Sequence, residues 1–153
     1  FLENNPFEAV RVRSDLNGLQ KIREVFALDR ADEEREAVNA QAVSILKDPR
    51  ILAAAVEANR RVLTPLWFEL IEEGRRDGSI KTDYAKELSE LLPLVNFWLM
   101  PSVFPADADE ILHKCRFVAE VMAAMGLPVI DEAMYERTER LIGHFGEKGE
   151  RET

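Results

Sequence analysis

Leu88-Ser89-Glu90-Leu91-Leu92-Pro93-Leu94-Val95-Asn96-Phe97-Trp98-Leu99-Met100 sets the architecture of this chain. Wound as a helix it is apolar almost all the way round, and such a helix must be covered on every side. One domain of this size rarely supplies that much cover, so the stretch predicts a helical bundle that buries one face itself and offers another to a second copy. Just upstream, Leu70-Ile71-Glu72-Glu73-Gly74-Arg75-Arg76-Asp77-Gly78-Ser79-Ile80 reads as a helix that stops at a pair of glycines.

Helical punctuation continues on both sides of this segment. No β-branched run alternates with polar residues, so strands are not expected. The spacing gives seven helical pieces. The first (about Pro6–Arg13) is short and charged. Ser14-Asp15 caps the second, with Leu19, Ile22 and Phe26 on its core face. Asp32 starts the third, with Val38, Ala42 and Ile45 in register, and Lys47-Asp48-Pro49 ends it. The fourth runs from Pro49 to about Arg76 and carries Leu52, Val56, Asn59 and Leu63 on one face, with a kink at Pro65. The fifth spans about Asp83–Phe104 around Pro93. Pro105-Ala106-Asp107 caps the sixth (about Asp107–Met125), and Gly126-Leu127-Pro128 stops it. Asp131 opens the seventh, striped by Met134, Leu141, Ile142 and Phe145. Residues 146–153 read as a disordered tail. The expected fold is all-α: an antiparallel bundle of about seven helices.

Composition narrows the function. The chain has 153 residues, enough for one domain with a real core, and a net charge of -9 from 20 Lys and Arg against 29 Asp and Glu. An acidic surface repels phosphate backbones, so this segment is not expected to grip nucleic acid itself. No apolar run approaches membrane-spanning length and no secretory signal pattern opens the chain. The single Cys115 excludes an intrachain disulfide and fits a reducing cytoplasm. The opening Phe1-Leu2-Glu3, without an initiator Met, reads as the start of a fragment.

The helical wheel divides the decisive helix. Leu88, Leu92, Val95 and Leu99 share the inner face; Phe97, Met100 and Phe104 fall opposite, beginning among charges and ending among aromatic residues. With Cys115, Val118, Ala119 and Met122 of the next helix they form the expected dimer interface, a four-helix arrangement about a two-fold axis. The alternative is that another helix of the same chain covers them. On the inner faces a few polar residues stand among apolar ones. Arg23 and Phe26, Gln41, Asn59 and Leu63, Trp67 and Ile71, and Leu92, Asn96 and Leu99 form the candidate ligand-binding set, because affinity for a small molecule needs apolar walls and a few orienting polar atoms. Any one Asn of this kind also reads as a core residue bonded to a neighbouring carbonyl.

Catalytic patterns are missing. His113 and His144 have no partner at metal-ligand spacing, and no nucleophile elbow, phosphate loop or dinucleotide fingerprint occurs. Neither an enzyme nor a cofactor or metal is expected.

Gly18-Leu19-Gln20-Lys21-Ile22-Arg23-Glu24-Val25-Phe26, Leu46-Lys47-Asp48-Pro49-Arg50 and the run from Pro65 to Asn96-Phe97-Trp98-Leu99, in that order and spacing, resemble the C-terminal regulatory domain of TetR-type transcriptional regulators. That resemblance implies an effector-binding and dimerisation domain over residues 1–145, with residues 1–13 ending a connector helix. It implies a homodimer, a small lipophilic or aromatic effector that releases a repressor, and operator DNA held only by an N-terminal helix-turn-helix domain absent from these residues. The rival reading is a free-standing helical interaction module with no DNA-binding part.

Overall fold

A computed structural model describes residues 5–30, 47–136 and 139–140. Within them the chain is all-helical, with no strand: α1 (Pro6–Arg11), α2 (Gly18–Arg30), α3 (Pro49–Ala58), a π-helical turn (Asn59–Leu63), α4 (Thr64–Asp77), α5 (Ala85–Leu99) and α6 (Ala108–Ala124). Helical residues 132–136 come directly after Asp131, whose carboxylate accepts from the Met134 amide at 2.8 Å. The expected helix after Asp32, with Val38, Gln41, Ala42 and Ile45, lies outside the described residues, as do Leu141, Ile142, His144, Phe145 and the tail.

Helix α4 is central. It packs against α2 on one side and α5 on the other, α1 lies on α2, and α6 lies on α5. One core results. It joins Phe7 and Val10 of α1, Ile22 and Val25 of α2, Trp67, Leu70 and Ile71 of α4, Leu88 and Leu92 of α5, and Val118 and Met122 of α6. Leu127 and Val129, in the extended segment after α6, close it from below and are almost wholly buried.

The helix starts obey capping chemistry. Asn5 accepts from the Phe7 amide, Asp48 from that of Arg50, and Asp107 from that of Glu110, whose carboxylate in turn accepts from the Asp107 amide. At α2 the expectation of a Ser14-Asp15 cap is corrected. Asn17 takes that role: its side chain accepts from the Gln20 amide at 2.8 Å while Gln20 Oε1 accepts from the Asn17 amide at 2.9 Å. A Gln three residues after the capping residue is the required spacing, and Asp15 has none.

The two glycines at the end of α4 do different jobs. Gly78, with φ 82°, is the left-handed stop. Gly74 lies inside the helix and is buried, and a Cβ on the facing Gly18 would run into the Gly74 backbone. The pair lets α2 and α4 touch backbone to backbone. Termination alone is therefore not a sufficient reading of Gly74.

Pro65 lies inside a long helical run from Pro49 to Asp77, as the sequence predicts, and the strain is absorbed as a π turn. The Thr64 amide reaches back five residues to the Asn59 carbonyl. A proline ring collides with the carbonyl four residues earlier, here that of Arg61, and widening the turn relieves it. Pro93 sits in mid α5, buried, where it withholds the amide that the Ser89 carbonyl would otherwise accept from.

Candidate functional site

Three aromatic rings organise the middle of the bundle. Trp67 on α4 is 5 % exposed; Phe7 of α1 meets it edge-on at 4.7 Å and Phe26 of α2 stacks on it at 5.1 Å. Phe26 also borders a cavity of about 60 Å³. Helix α5 contributes Leu92, Val95, Asn96 and Leu99 to it, and α6 contributes Cys115 and Val118. Val129, Ile130 and Met134 close the remaining wall. The volume holds a few waters or a small organic group, well short of a pocket for a drug-sized ligand.

Four residues of the expected ligand-binding set thus converge: Phe26, Leu92, Asn96 and Leu99. Asn96 is solvent-exposed, which places it at the rim, whereas Leu92 is buried at the back. The other described members do not line this cavity. Trp67 and Ile71 belong to the packed core, and Leu63 packs against its edge. Asn59 is half-buried in the π turn, away from the cavity. Arg23 spends its donors on structure: Nε and Nη2 both donate to the Pro128 carbonyl, at 3.2 and 2.8 Å. That clamp holds the segment bearing Val129 and Ile130 against α2. Gln41 lies outside the described residues.

Sequence reasoning missed the 127–130 wall. The signal was available: Leu127-Pro128-Val129-Ile130 is an apolar run between a helix stop and a helix start, which is how a buried extended connector reads. Its entry is fixed by Gly126, with φ 89° and no room for a Cβ beside the Lys81 carbonyl.

The expected interface residues separate into two groups. Phe97, Cys115, Val118 and Met122 are all buried within the single chain, so Phe97 does not point outward as the wheel suggests. The rest of the chain already covers them. Phe104 is 48 % exposed, while Met100 and Ala119 are half-buried. The outward apolar residues of these helices are instead Leu91 and Leu94 on α5 and Phe117 on α6. Trp98 lies edge-on to Phe117 at 5.8 Å. Lys114 covers Trp98 and Phe104 with its ammonium, 5.0 and 5.6 Å from the ring centres, and donates to the Trp98 carbonyl at the end of α5.

A second, solvent-open depression lies between residues 14–17 and the end of α4, with Asp15, Glu73 and Asp77 around it. Its carboxylates are engaged. Hydrogen bonding to Arg13 brings the pKa of Asp15 down to about 2. Glu73 accepts from Lys21, a nearly buried ammonium that also reaches the Arg11 carbonyl. Asp77 accepts from the Gly18 and Ser79 amides. Among the described residues no group of His, Cys, Asp and Glu side chains is arranged to hold a metal ion, and no helix is long and apolar enough to cross a membrane. Comparison with known protein families, with curated proteins and with solved structures finds no match for this chain.

Proposed function

We propose that this chain is the effector-binding and dimerisation domain of a TetR-type DNA-binding transcriptional regulator, a repressor released by a small lipophilic or aromatic ligand. The observation that carries the reading is the meeting of Phe26, Leu92, Asn96 and Leu99, from two helices far apart in sequence, on one apolar cavity. The ring of Phe26 continues through Trp67 to Phe7 on α1, the helix that would lead to the DNA-binding part. An effector can shift such a protein only by its affinity difference between two arrangements of these helices. The homodimer of this reading uses the outward stripe of Leu91, Leu94 and Phe117 with Phe104 rather than the buried residues beside it. Sedimentation of the chain with Leu94→Lys and Phe117→Glu tests that part: the dimer should split, and an unchanged profile refutes the interface.

The regulator reading is tested on the native gene product. A basic helix-turn-helix segment preceding Phe1, binding a DNA duplex that a cavity ligand releases, supports it. A native product starting beside Phe1 overturns it. The same exposed stripe favours a second reading, a helical interaction module cytoplasmic in its setting, whose partner covers Leu91, Leu94 and Phe117 without any ligand.

A further inference from the structure

We propose that the cavity selects a small neutral compound with an apolar body and one hydrogen-bonding end, and rejects carboxylates of the same shape. This rests on the reading of the cavity as an effector site. Apart from the Cys115 thiol and Asn96, the described lining residues are apolar, and Asn96 stands at the exposed rim. An apolar body therefore enters against Leu92 and Val118, while its polar end stays beside the Asn96 amide, which both donates and accepts.

None of the described lining residues is cationic, and the cations adjoining them on α2 and α6 are committed elsewhere. Arg23 is held by the Pro128 carbonyl through two hydrogen bonds. Arg116 donates to the Tyr135 hydroxyl at 3.1 Å and lies over that ring. Lys114 is held by the Trp98 carbonyl and two aromatic faces. A carboxylate entering the cavity would lose water and meet no described counter-charge, which costs far more than burying a neutral hydroxyl with one partner. Size sets the other limit. One six-membered ring exceeds about 60 Å³, so the half-buried Leu99 swings outward to admit it. Larger bodies would require moving the clamped 127–130 segment.

The test uses the whole chain with Trp98→Phe, which leaves Trp67, stacked on the cavity residue Phe26, as the only tryptophan. Phenol, toluene and benzoate are titrated at pH 7, followed by Trp67 emission and by calorimetry. Phenol and toluene should bind saturably, with benzoate at least tenfold weaker. Asn96→Leu should weaken phenol about fivefold, the worth of one hydrogen bond, and leave toluene unchanged. Leu99→Trp, which fills the cavity from its half-buried side, should abolish both. Benzoate binding as tightly as phenol overturns the selectivity while the cavity remains an effector site. Binding that survives Leu99→Trp, or no binding by any of the three, overturns the cavity as the site and the selectivity with it.

Discussion

Phe26 lines the cavity and also stacks on Trp67, the two rings 5.1 Å apart and inclined by 30°. A core contact and a candidate ligand contact therefore share one side chain. The consequence is that Trp67 belongs to stability. Trp67→Ala removes the ring between Phe7 and Phe26 and should cost about 3–5 kcal/mol, read as a lower midpoint in urea unfolding. Trp67→Phe should recover much of it.

Gly18 faces Gly74 where two helices meet without side chains between them. Gly18→Ala puts a methyl group against backbone that has nowhere to go. Overpacking there should destabilise the fold by about 3 kcal/mol, at the upper end of such changes. Thermal melting checks it, and an Ala variant as stable as the parent would show that α2 and α4 do not approach this closely.

Lys21 and Glu73 are an unequal pair. The Lys21 side chain is 6 % exposed and the Glu73 side chain 32 %, with 2.7 Å between nitrogen and oxygen. Removing the acid strands a nearly buried ammonium; removing the base leaves a carboxylate that water can reach. Glu73→Ala should therefore cost about 2 kcal/mol and Lys21→Met distinctly less, because a broken buried pair is worse than an apolar replacement. Equal losses would show that both charges are solvated.

Asp77 carries a pH signature. Burial raises its pKa, but hydrogen bonds from the Ser79 side chain and from the Gly18 and Ser79 amides, with the charge of Lys21, outweigh it and hold the carboxyl below its ordinary value. A carboxyl with a lowered folded pKa stabilises the fold fully above its unfolded pKa of about 4, and that stability is lost as pH falls through the folded value. The stability gap between parent and Asp77→Asn should be constant from pH 7 to 5 and shrink below about pH 4. A gap independent of pH down to 3 would remove Asp77 as the titrating group.

Much of the fold was legible because it is local. Asp48-Pro49, Asp107, Gly78 and Gly126 fix their helix ends through neighbours a few residues away, and each does so in the structure. What could not be read is set at long range. A wheel places Phe97 opposite Leu92, yet both are buried, since the direction of an apolar face says nothing about which part of the same chain returns to cover it. Arg23 illustrates the same limit: its partner is a carbonyl 105 residues away. Of the site, the side chains Phe26, Leu92, Asn96 and Leu99 were within reach of pattern reading, because they recur on helix faces. The Val129 and Ile130 wall belongs to no periodic element.

The π turn at Asn59–Leu63 fixes an orientation by counting. Each residue added to or removed from a helix rotates its N-terminal part by about 100° relative to its C-terminal part. With α4 anchored in the core as the reference, the wide turn takes up one extra residue, so α3 presents Leu52 and Val56 at the azimuth of an unbroken α-helix one residue shorter. A side-chain replacement in this stretch leaves that angle alone, whereas a second inserted residue would exceed what one wide turn takes up and would turn α3 by more than a quarter of a revolution. Length, more than chemistry, is the constraint such a turn would impose on any variant of this chain.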